Sequence, residues 1–194
     1  MKTVLSIDFD LIMKPSIEAY NNMVNGVDPN ESIAARGKEF PFLQCLPADL
    51  EIYKTLTEYI SKIAKDKKVF IKDHREAFQL IKDFAKDEKV NLINIDHHHD
   101  IMYQISDIEP AEPTDANWVR HLYDNGIIEK YSWVRNNNSR MPFDWVQKDF
   151  PDVDYLYFER EMLNEIKPDY VIICLSPAWV PPLYYPLFDL WKVL

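Results

Sequence analysis

Residues 90–100 read VNLINIDHHHD, and no other stretch constrains the chain as tightly. Val90, Leu92, Ile93 and Ile95 form a short apolar run of the kind that becomes a buried strand. The run ends abruptly in Asp96, His97, His98, His99 and Asp100. Strand alternation puts Asp96, His98 and Asp100 on one side and His97 and His99 on the other. Two carboxylates and an imidazole at the carboxyl end of a buried strand outline a metal site, and in an open α/β sheet that end is where ligands bind. The plainer reading is a solvated polar loop carrying a chance His run. Against it, three of the five histidines stand here in a row between two aspartates.

The rest of the chain supplies partners for this strand. Residues 3–10, TVLSIDFD, form a second apolar strand in which Asp8 and Asp10, two apart, share a face. Such hard oxygen ligands suit Mg²⁺ or Mn²⁺, the alternative being that the two aspartates merely cap the segment after them. Residues 68–73 read as a third strand with His74 just past its end, followed by a helix over 76–84. Strand, polar tip, helix, strand is a βαβ unit, which implies a parallel sheet and sets His74 at the same edge as Asp96. Apolar residues at Leu50, Tyr53, Leu56, Ile60 and Ile63 predict a helix over 47–65. Further on, a helix over 114–123 closes at Asn125-Gly126. Strands come next at 127–134 and 153–158, then a helix at 159–166 stopped by Pro168, and a last buried strand at 170–175 broken by Ser176-Pro177. The aromatic segment 179–191 is expected as core, or as a contact in a homo-oligomer, rather than as a substrate platform. The long stretch 11–46, with a short helix at 16–24, is expected to act as a lid or substrate loop. The expected fold is α/β, a three-layer α/β/α arrangement around a mostly parallel sheet, in one domain spanning 1–194.

Composition narrows the function. A net charge of −10 argues against nucleic acid or an anionic membrane as the main partner and suits a cationic substrate. Cys45 and Cys174 are the two cysteines, so neither a disulfide framework nor a thiolate metal cluster is expected. No signal-peptide pattern opens the sequence and no apolar run approaches membrane-spanning length, which predicts a cytoplasmic protein. With three Gly against thirteen Pro, and no GxGxxG or P-loop pattern, a nucleotide on a glycine-rich cradle is excluded.

Asp96-His97-His98-His99-Asp100 fits DxHxD and Ser6-Ile7-Asp8-Phe9-Asp10 fits SxDxD. Both resemble the metal motifs of the arginase-type ureohydrolases, and the strand ending in Asp73-His74 resembles the one that carries that superfamily's first histidine ligand. Here SxDxD precedes DxHxD and the chain is short. Both features, with Asn117-Trp118-Val119 and Ser176-Pro177-Ala178-Trp179, look like the small peptide arginases. The resemblance implies an arginase/deacetylase-like fold and two Mn²⁺ ions, with Fe²⁺ or Zn²⁺ as alternatives. It implies Asp8 and Asp96 as bridging ligands, His74 and Asp100 completing one metal, and His98 and Asp10 the other. The implied reaction removes the guanidine group of arginine side chains in a ribosomally made precursor peptide, giving ornithine and urea. A metal-bridging hydroxide attacks, and Asp100 orients it and passes its proton to the leaving amine.

Two family features lack a clear counterpart. Ordinary arginases hold the guanidinium with a Glu near the end of a late strand, whereas this strand ends Cys174-Leu175-Ser176-Pro177. Glu159 and Glu161 are substitutes if they are not plain helix-surface residues. His121 is the one later His, a candidate proton shuttle or a satisfied helix histidine. Competing readings are another C–N hydrolase such as an agmatinase or a deacetylase-like enzyme, a phosphatase resembling the haloacid dehalogenases with Asp8 as nucleophile, and a non-catalytic metal-binding domain. The phosphatase reading lacks a late acidic pair and leaves Asp96, His98 and Asp100 unexplained.

Overall fold

A computed structural model describes residues 1–14, 47–101, 112–137, 139 and 144–194. The helix expected at 16–24, most of the expected lid and Cys45 lie outside the described residues. Six strands alternate with helices: β1 (Lys2–Asp8), α1 (Leu50–Ser61), β2 (Lys68–Ile71), α2 (Glu76–Ala85), β3 (Val90–Ile95), α3 (Trp118–Asp124), β4 (Ile128–Arg135), α4 (Asp144–Asp149), β5 (Asp154–Tyr157), β6 (Tyr170–Cys174) and α5 (Tyr185–Val193). They form one sheet in the order β2-β6-β1-β3-β4-β5, and every pairing is parallel. The expected α/β architecture with a parallel sheet between helical layers is what the chain adopts. Among the described residues, no helix is long and apolar enough to cross a membrane.

A parallel sheet must be covered on both faces, which is why β1, β3 and β6 are nearly continuous apolar runs. On one face Val4, Leu92 and Ile172 pack beneath Ala77 and Ile81 of α2 and Trp118 and Leu122 of α3. On the other, Leu5, Ile7, Ile95 and Ile173 pack beneath Leu56 and Ile60 of α1 and Phe188 and Trp191 of α5. Strand alternation sends Val4, Ser6 and Asp8 to the first face, together with Leu92, Asn94 and Asp96 of β3 and its loop. All strands being parallel, their carboxyl ends converge on one edge. The register sets Ile7 beside Ile95 and Asp8 beside Cys174, so the ends of β3, β1 and β6 form one row.

Several local expectations are corrected. β1 stops at Asp8, and a 3₁₀ turn over Phe9–Ile12 succeeds it, so Asp10 is not on the strand. The Asp10 N–H donates to Asp8 Oδ1, so Asp8 caps that turn as well as facing the sheet edge. The helix expected at 47–65 is shorter because Asp49 caps it, accepting from the Glu51 and Ile52 N–H groups. The segment expected as a helix at 159–166 holds only a 3₁₀ turn, Arg160–Asn164, with one buried residue, Leu163. So small an apolar contact does not sustain an α-helix. The aromatic segment, conversely, contains α5, whose Pro186 sits in the first turn where no N–H is needed. Gly126, just past the C-cap Asn125 of α3, takes a φ of +67°, the left-handed conformation that ends many helices.

Candidate metal centre

Six side chains from three segments meet at this edge: Asp8, Asp10, His74, Asp96, His98 and Asp100. The aspartates are all at most 4% exposed, as is His74. His74 Nδ1 lies 3.0 Å from Asp8 Oδ2, 3.2 Å from Asp96 Oδ2 and 3.4 Å from Asp100 Oδ2. His98 Nδ1 lies 3.1 Å from Asp10 Oδ2 and 3.5 Å from Asp96 Oδ1. Asp96 therefore faces both imidazoles, one through each oxygen. Two overlapping ligand sets result, Asp10–Asp96–His98 and His74–Asp96–Asp100, and a third joins Asp8 and His74 to Cys174. Asp8 thus belongs with the His74 group, while its other oxygen is engaged by the Asp10 N–H.

A layer of buried polar groups holds these side chains in place. Ser6 Oγ is 2.8 Å from His74 Nε2. Asn94 Nδ2 donates to Asp96 Oδ2 at 3.2 Å, and the His98 N–H donates to Asp96 Oδ1 at 2.8 Å. Ser176 Oγ donates to Asp8 Oδ2 and Trp118 Nε1 donates to Asp100 Oδ2 at 2.7 Å. Trp133 Nε1 donates to the Asp96 carbonyl and Tyr131 Oη to the His99 carbonyl, fixing the loop after β3. Asp100 (φ +53°) and Ser176 (φ +49°) both adopt the left-handed region without being glycine. Such backbone costs about 1–3 kcal/mol each and persists where surrounding contacts over-determine it.

The charge of this cluster is balanced either by protons or by a cation. Four buried carboxylates face two imidazoles, so even with both rings protonated two of the carboxyls must hold a proton or meet a cation. Burial, then the neighbouring Asp8 and Asp96, push Asp10 up to about 8. Burial and Asp96 likewise raise Asp100 well above the carboxylate range. Burial opposes the charge on Asp96 too, but hydrogen bonds and charge from His74 and His98 hold it well below that range. Burial also opposes protonation of the two imidazoles, yet Asp8 and Asp96 raise His74, and Asp10 and Asp96 raise His98. Asp10 Oδ2 is a buried acceptor without a hydrogen bond, 3.1 Å from His98 Nδ1. An orphaned carboxylate oxygen aimed at a second carboxylate and an imidazole is what a divalent cation satisfies. These buried Asp/His groups can hold a metal ion.

His97 and His99 point elsewhere. His97 Nε2 donates to the Met13 carbonyl at 2.9 Å, which leaves Nδ1 to accept from Ser139 Oγ at 2.7 Å. His99 Nδ1 accepts from the Ile101 N–H, with its ring edge-on to Trp133. Burial pushes both down to about 4, so both are neutral. His121 lies on α3 with its ring 6.0 Å from Phe78 of α2, and Glu159 and Glu161 are exposed. None of these three enters a ligand set. Sequence reasoning gave no role to Asn94, Ser176 or Cys174. Asn94 interrupts an apolar run and Ser176 ends one, which was a signal, whereas Cys174 continues its run and gave none. Trp179, expected only as core or contact, instead stands 4.4 Å from the His98 ring.

Comparison with protein-family models, curated proteins and solved structures returned no match.

Proposed function

We propose that the chain is a binuclear metal hydrolase that removes the guanidine group of arginine side chains in a precursor peptide, releasing urea and leaving ornithine. The observation that carries this reading is Asp96, whose two oxygens face two separate His-containing ligand sets in a buried, carboxylate-rich cluster. Carboxylate-rich sets with one imidazole each favour Mn²⁺. When bound, such ions supply Lewis acidity and a nucleophile at neutral pH.

The chain's own residues set the geometry for that chemistry. Ligation through His74 Nδ1 requires the Nε2–H tautomer, and Ser6 Oγ accepts that hydrogen. Asn94 and the His98 N–H hold the two Asp96 oxygens apart, one toward each set. Trp118 fixes one oxygen of Asp100 and leaves the other as the group that takes up a proton and delivers it to the leaving amine. His98, with its side chain 35% exposed, and the adjoining Trp179 mark the side from which a substrate side chain enters. The −10 net charge favours a cationic one.

Incubating the Mn²⁺-loaded protein with arginine-containing peptides tests the reading by mass spectrometry. The expected result is a loss of about 42 Da per modified arginine, the mass fixed by the reaction. Intact peptides combined with urea release from free arginine or agmatine would contradict the peptide assignment.

A further inference from the structure

Cys174 is fully buried and shares the strand-end row with Asp8 and Asp96, directly beside Asp8 in register. Its Sγ lies within one ligand set with an Asp8 oxygen and a His74 nitrogen, all within 4.8 Å of one another. Ser176 Oγ is 3.3 Å from that Sγ and gives its own hydrogen to Asp8 Oδ2. The thiol is therefore the donor in the Cys174–Ser176 contact, and Ser176 holds sulfur and carboxylate side by side. The two halves of the cluster thus differ in chemistry. Asp10–Asp96–His98 offers two oxygens and a nitrogen, whereas the His74 position, which also faces Asp96 and Asp100, adds the Cys174 sulfur to its nitrogen and oxygens. Thiolate with imidazole selects Zn²⁺, Co²⁺ or Fe²⁺, while oxygen-rich sets accept Mn²⁺.

We propose that Cys174 supplies a thiolate ligand at the His74 position, so that this position takes a thiophilic divalent ion and the two metal positions are chemically unlike. Binding there releases the thiol proton to solvent as the metal–sulfur bond forms, with no change of oxidation state. The inference rests on the reading of this cluster as a metal centre.

Loading the full chain with Co²⁺ tests it, because cobalt–thiolate bonding gives charge-transfer absorption in the near ultraviolet. The native chain and Cys45→Ser are expected to show that band, and Cys174→Ser and Cys174→Ala to lack it while still binding cobalt. Cys174→Ser is also expected to weaken Co²⁺ and Zn²⁺ about tenfold, and Mn²⁺ by less than about twofold. Cobalt bound without the band, or a band that survives in Cys174→Ser and disappears in Cys45→Ser, overturns the thiolate and leaves the binuclear reading standing. Absence of cobalt binding in the native chain overturns both.

Discussion

Trp118 links the helical layer to the cluster through a single side chain. Its indole N–H holds Asp100 and its ring lies 4.8 Å from that of His74, so it orients one carboxylate and packs one imidazole. Trp118→Phe keeps most of the packing and removes the donor. It is expected to weaken metal binding about 10- to 100-fold, measured by isothermal titration, since groups that orient metal ligands have effects of that size. The histidine run divides in a similar way. His97→Ala removes two buried hydrogen bonds and is expected to cost about 2–3 kcal/mol in urea unfolding, with metal stoichiometry unchanged. His98→Ala is expected to do the opposite, lowering metal content with a smaller loss of stability. Equal losses of metal in both variants would contradict the division. Alternation made the split between His98 and its neighbours legible in the sequence, but nothing local told that His97 would reach Met13 and Ser139, 84 and 42 residues away.

Among the elements, the strands were easiest to read because a parallel sheet buries both faces and leaves unbroken apolar runs. Their order was not legible. β6 pairs between β2 and β1, a placement set by contacts spanning most of the chain, and it is this insertion that brings Cys174 and Ser176 to Asp8. The turn after β1 was missed for a different reason. Phe9, Leu11 and Ile12 continue the apolar pattern of a strand, yet they pack as a 3₁₀ turn against α1 and α5. There Phe9 meets Tyr53, Phe188 and Trp191 at ring separations of 6.2, 5.4 and 4.9 Å. The aromatic group is the support beneath Asp10. Trp191 is fully buried and its N–H reaches Thr57 of α1 at 2.7 Å, so it ties α5 to α1 beneath that turn. Trp191→Ala is expected to destabilise the chain by about 3–5 kcal/mol in urea unfolding. A loss below about 1 kcal/mol would mean that α5 does not carry this part of the core.

For the whole molecule, the buried charges make stability depend on pH and on metal together. In the metal-free chain Asp10 titrates at about 8 and Asp115 at about 7, against 3.8 for ordinary aspartates. From pH 4 upward, the folded chain keeps protons on these groups that the unfolded chain has released, so their contribution falls as pH rises through those values. His74 and His98, both raised, act in the same direction above pH 6.5. His97 and His99, lowered to about 4, act oppositely, but only below pH 6.5, where the unfolded chain is protonated and the folded chain is not. The melting temperature of the metal-free protein is therefore expected to fall between pH 6.5 and 8. Saturating Mn²⁺ is expected to raise it and to lessen that slope to the part that Asp115 contributes, because cations replace the protons on the ligand groups and bind only the folded state. A melting temperature flat over that range without metal would contradict the charge arrangement. The most direct test of the two-metal centre is metal content per chain, measured by elemental analysis after equilibration with excess divalent ion and removal of unbound metal. The native chain should hold two ions and Asp96→Ala fewer than one, since Asp96 serves both ligand sets. One ion or none in the native chain, or two in Asp96→Ala, would contradict it.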